Sequence, residues 1–97
     1  MTYSPSSELY SQLARLLVDR LDLSGYFSGS VSLEFDDVDC RLTGSFIVYR
    51  QPCDLPEGIY RPIADVVPVW WEFHTRTEEG EVDNDFSFSE LKPFLIA

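Results

Sequence analysis

From Tyr26 to Tyr49 the chain reads YFSGSVSLEFDDVDCRLTGSFIVY, and the fold follows from this stretch. Phe27, Gly29, Val31, Leu33 and Phe35 alternate with Ser28, Ser30, Ser32 and Glu34, the period of two that marks a half-buried strand. Cys40, Leu42, Gly44, Phe46 and Val48 alternate in the same way with Arg41, Thr43, Ser45, Ile47 and Tyr49. Between them Asp36-Asp37-Val38-Asp39 is turn-forming. With Asp36-Asp37 as the loop, Phe35 pairs with Val38, Leu33 with Cys40, Val31 with Leu42 and Phe27 with Phe46. A four-residue loop shifts the partners but leaves the same residues facing inward. Gly29 falls close to Gly44 in either register, which predicts a close approach of helix backbone to the sheet there, or a bend.

Upstream of the hairpin, Leu9, Leu13, Leu16, Leu17 and Leu21 fall at helical spacing and form one apolar stripe. Ser4-Pro5 is a start signal and Ser24-Gly25 a stop, so a helix is predicted over about residues 5–23. Downstream, RQPCDLPEGIYRP at positions 50–62 reads as a long irregular connection. A third strand follows, with Val67, Val69, Trp71 and Phe73 facing inward and Val66, Trp70, Glu72 and His74 facing outward. Pro68 cannot donate to a ladder, so pairing there is interrupted by a bulge or confined to one side. A fourth strand is expected from Val82 to Phe88, with a turn at Glu79-Gly80 that sets Phe73 opposite Phe86 and Trp71 opposite Phe88. The tail from Ser89 is expected to pack Phe94, Leu95 and Ile96 as a lid. The predicted fold is α+β, a single domain over residues 1–97. One N-terminal amphipathic helix packs on a four-stranded antiparallel meander sheet, as a two-layer sandwich.

Charge narrows the function. Seven Lys and Arg stand against 17 Asp and Glu, a net charge of -10. Nucleic-acid phosphates and anionic lipid both call for clustered basic side chains, so neither is an expected partner. No stretch approaches the roughly 18 apolar residues of a membrane span, and MTYSPSSELY lacks the features of a signal peptide. A cytoplasmic location is therefore expected, with Cys40 and Cys53 as reduced thiols.

Signals for catalysis are absent from the motifs. His74, the one histidine, reads with Glu72 and Arg76 as part of a polar outer face. There is no nucleophile elbow and no Gly-rich phosphate loop. The carboxylates at Asp36, Asp37 and Asp39, and at Glu78, Glu79, Glu81, Asp83 and Asp85, lack EF-hand spacing and read as solvated turns. No cofactor and no metal are expected.

One helix covers one side of the sheet. The other side carries Ile47, Tyr49, Val66 and Trp70, more apolar surface than a solvated face needs, and such a patch on a small domain reads as an interface. Alternatively, the 50–62 segment or the tail folds over it. The leading expectation is a small acidic, non-enzymatic interaction or accessory domain that self-associates, or binds another protein, through that face. A second reading is an acidic nucleic-acid mimic that inhibits a DNA-binding enzyme, although the carboxylates concentrate at turns instead of spreading along one surface. A third is a ligand or enzymatic cleft between the 50–62 segment and the sheet, where Trp70, Tyr60, His74 and Cys53 would converge.

Overall fold

The computed structural model describes residues 2–21, 25–50 and 63–96. Among these residues five strands and two helices follow one another as β1 (Thr2–Tyr3), α1 (Ser7–Leu21), β2 (Tyr26–Phe35), β3 (Val38–Arg50), β4 (Ile63–Thr77), β5 (Gly80–Asn84) and α2 (Phe88–Leu95). The sheet order is β1-β5-β4-β3-β2. It is antiparallel throughout, except that β1 lies parallel to β5. The architecture is α+β, but the sheet is mixed and five-stranded, not a four-stranded antiparallel meander, and a second helix joins the first. A two-residue strand is too short to show a period, so β1 left no pattern to read.

The first hairpin has the register expected of an Asp36-Asp37 loop: Phe35 pairs with Val38, Leu33 with Cys40 and Phe27 with Phe46. Asp36 and Asp37 have φ of 50° and 65°, the doubly left-handed turn whose twist matches that of two paired strands. Gly29 and Gly44 face each other directly. Phenyl rings and, at Gly44, the backbone of β4 crowd them, not helix backbone. A Cβ on Gly29 would meet Phe27 Cζ at 3.3 Å, and one on Gly44 would meet Phe46 Cζ at 2.9 Å.

Helix α1 is capped by Ser6, not Ser4. The Leu9 amide donates to Ser6 Oγ at 3.2 Å, and the Tyr10 amide to the Ser6 carbonyl at 3.0 Å. Ser4 instead donates to Asp85 Oδ2 at 2.8 Å, tying the segment after β1 to the end of β5. Leu9, Leu13, Leu17 and Leu21, each four residues on, are buried together with Tyr10 and Ala14. Leu16 lies off this row and is 37% exposed, so it is not the core anchor that the leucine spacing suggested.

Strand β5 stops earlier than the aromatic alternation predicted. Its turn is Glu78-Glu79, which pairs Thr77 with Gly80 and Thr75 with Val82. Asn84 then ends the ladder. Its Nδ2 donates to the Phe73 carbonyl at 3.0 Å and to Thr75 Oγ1 at 3.3 Å, and its Oδ1 accepts the Phe86 amide at 3.2 Å. The chain turns there into α2, which buries Phe88, Leu91 and Leu95. The tail is thus a helix packed beside α1, with Phe94 exposed and not part of a lid. Phe86 still stacks on Phe73, centroids 4.2 Å apart, from outside the strand. Both helices lie on one face of the sheet and share a single core with it.

Candidate protein interface

The face of the sheet turned away from the helices is arranged in rows that cross β2, β3 and β4. Tyr26, Ile47 and Val67 form one row, and Ser28, Ser45 and Trp70 the next. Ser30, Thr43 and Glu72 follow, then Ser32, Arg41 and His74. Glu34, Asp39 and Arg76 continue into Glu81 of β5. The face therefore grades from apolar at one end, through hydroxyls, to charged at the other.

A bulge in β4 sets its apolar end. Ser45 pairs with Trp70 but Phe46 pairs with Pro68, which leaves Val69 as an extra residue. Pro68 sits beside the irregularity, where a missing amide is tolerated. An extra residue inverts the in–out phase of everything N-terminal to it. Val66, expected on the outer face, consequently pairs with Val48 and is fully buried toward the helices. Val67 takes its place outside. The sequence already flagged Pro68 as a bulge position, and applying the phase change to residue 66 would have exchanged the two valines.

Ile47, Tyr49 and Trp70 lie on the outer face and are exposed, at 36%, 51% and 46%; the alternative that the 50–62 segment covers them falls almost wholly outside the described residues. Tyr26, 54% exposed, adjoins Ile47 and was overlooked by the sequence reading, although it shares the alternation of Ser28 and Ser30. The resulting patch is Tyr26, Ile47, Tyr49, Val67 and Trp70. Ser45 closes its floor: the residue is buried and its hydroxyl donates to Ser28 Oγ at 3.0 Å.

At the charged end His74 bridges two carboxylates, with Nδ1 2.9 Å from Glu81 Oε1 and Nε2 3.2 Å from Glu72 Oε2. These hydrogen bonds, to Glu72 first and Glu81 second, raise its pKa above the ordinary value. Its two ring nitrogens face different carboxylates, so the three groups do not converge on one point. Among the described residues, no group of three or more His, Cys, Asp or Glu could hold a metal ion. Cys40 is buried, and burial pushes its thiol up to about 11, which leaves it a poor nucleophile at neutral pH. Tyr60 and Cys53, and with them the cleft expected beside Trp70 and His74, lie outside the described residues.

No family model, curated protein or solved structure matches this chain. No described helix is long and apolar enough to cross a membrane. The outer face is therefore read from its own chemistry. Two tyrosines, a tryptophan and two branched aliphatics, ringed by serine, threonine and charged groups, have the make-up of an interface centre with a polar rim.

Proposed function

We propose that this chain is a small acidic, non-enzymatic interaction domain that docks protein, a second copy of itself or a different chain, through the outer face of β2–β4. One observation carries the reading: Tyr26, Ile47, Tyr49, Val67 and Trp70 are neighbours across three strands, and all five are exposed. Desolvating such side chains against a partner supplies favourable free energy that water contact does not. A net charge of -10 disfavours nucleic acid and anionic lipid as that partner.

The test places a photo-reactive phenylalanine analogue at Trp70 and, as a control, at Glu78 on the far turn, in cells that express the chain. Covalent adducts to protein are expected at position 70 and not at 78. Absence of adducts at 70 would sink the reading. Trp70→Ala should leave the melting temperature nearly unchanged, since an exposed side chain outside the core contributes little to stability.

A further inference from the structure

The two edges of the sheet are treated differently. One ends in the two-residue β1 on a short β5 that carries Glu81 and Asp83. Short, charged edges of this kind discourage strand pairing. The other edge is β2, ten residues long, with no proline and no lysine, and Glu34 as its one acid in a chain that holds 17. Among the described residues nothing pairs with its outer side.

The backbone of that edge has a definite phase. The Val48 amide donates to the Gly25 carbonyl at 2.9 Å, so this pair is a hydrogen-bonded one. Hydrogen-bonded pairs recur at every second residue of an antiparallel ladder, which directs Phe27, Gly29, Val31, Leu33 and Phe35 at β3. The amides and carbonyls of Tyr26, Ser28, Ser30, Ser32 and Glu34 are then the ones presented along the free edge.

We propose that a second copy of this chain pairs antiparallel with β2 along this edge, in the two-fold register that sets Ser30 of one copy against Ser30 of the other. Ser28 then meets Ser32, and Tyr26 meets Glu34, so no acid faces an acid. By the two-fold the last two pairs each occur twice, so five pairs of two bonds give about ten main-chain hydrogen bonds. On the helix side, Phe27 comes opposite Leu33 and Gly29 opposite Val31. Phe27 and Leu33 are only half-buried within one copy. Leu16 of α1, left exposed by the core, lines a shallow groove with Leu33 and Glu34 along this same edge. The second copy therefore covers apolar surface that the single chain leaves open, along a strand whose one acid is Glu34. Two copies form an isologous dimer with one continuous sheet. The interface shares only Tyr26 with the outer-face patch, and it leaves Ile47, Tyr49, Val67 and Trp70 of both copies free on one side of that sheet.

Sedimentation equilibrium of the full chain, at rising concentration, reads the dimer directly. Ser30→Lys sets two ammonium groups opposite each other at the two-fold and should weaken dimerisation by at least roughly fivefold. Its own fold should be retained, because Ser30 does not bond to β3 through its backbone. Ser30→Cys in a Cys53→Ser background should form an interchain disulfide under mild oxidation, since hydrogen-bonded partners stand about 5.5 Å apart at Cα. Tyr26→Cys in the same background should not, its two copies being roughly 27 Å apart along the strands at 3.4 Å per residue. Slow amide exchange at Ser30 in the wild type would support the pairing without any substitution. A wild type that stays monomeric, or a Tyr26→Cys that cross-links as readily as Ser30→Cys, overturns the proposal. So does a dimer unaffected by Ser30→Lys but lost in Trp70→Ala, which would place self-association on the outer face and leave that reading standing. Adducts at Trp70 from a monomeric chain would separate the two in the same way.

Discussion

A β-carbon placed on Gly44 would stand 2.5 Å from the carbonyl oxygen of Trp70 in the neighbouring strand. It would also meet Phe46 Cζ at 2.9 Å and Trp71 Cα at 3.0 Å. Two of these three neighbours are backbone atoms beside the bulge, which cannot rotate aside as a side chain can. Gly44→Ala is therefore expected to cost about 1–3 kcal/mol, the range for overpacking that forces backbone shifts. Gly25, whose nearest neighbour would be 3.9 Å away, is the control: Gly25→Ala should fall within about 0.5 kcal/mol of wild type. Urea midpoints of both variants check the contrast.

The leucines of α1 divide by what covers them. Leu13 is fully buried, and Leu13→Ala should cost about 2–5 kcal/mol. Leu16→Ala should change the stability of a single copy by no more than about 0.5 kcal/mol. Equal shifts in urea midpoint for the two variants would mean that α1 is rotated about its axis from the orientation described.

Phe86 anchors the aromatic cluster from outside the strands. It stacks on Phe73 and lies 5.4 Å from Tyr10 and 5.2 Å from Trp71, centroid to centroid. Phe86→Ala should cost about 3–5 kcal/mol. Trp71 faces the helices, as its alternation predicted, but is 37% exposed at the margin of the core. Trp71→Ala should accordingly cost clearly less than Phe86→Ala in a thermal melt.

His74 makes stability depend on pH. Glu72 and Glu81 favour its charged form and raise its folded pKa above the ordinary 6.5. The protonated ring then stabilises the fold fully below about pH 6.5, and that contribution is lost as pH rises through the raised folded value. The melting temperature of wild type should therefore exceed that of His74→Gln at low pH, with the gap closing as pH rises. All three side chains are exposed, so the gap should be small and should shrink further with added salt. A gap independent of pH would count against this pairing.

Much of the fold could be read because the signals are local. Phe27 to Phe35 and Val38 to Val48 each alternate, and a two- or four-residue loop between them keeps Leu42 and Phe46 on the inner side. The β2–β3 face assignment followed from that alone; the register did not, because it depends on loop length, and the structure settles it with Asp36-Asp37 as the loop. The outer patch was readable to the same extent: Ile47 and Tyr49 belong to the unbroken alternation, while Val66 lies beyond the bulge at Val69 and was misplaced by it. Strand β5 illustrates another limit. Phe86 and Phe88 continue an alternating pattern, but the Asn84 side chain bonds across the hairpin to the Phe73 carbonyl and Thr75 Oγ1, contacts that alternation does not encode.

What the sequence determined by itself was the period of each long element, the apolar stripe of α1 and the two faces of the first hairpin. These depend on spacing that neighbouring residues set between them. Only the tertiary structure decided that Val67 and not Val66 joins Trp70 outside, that Leu16 stays exposed and that, among the described residues, nothing pairs with the outer side of β2. Each of those depends on what another element covers, and coverage is a property of packed surfaces that no local period encodes.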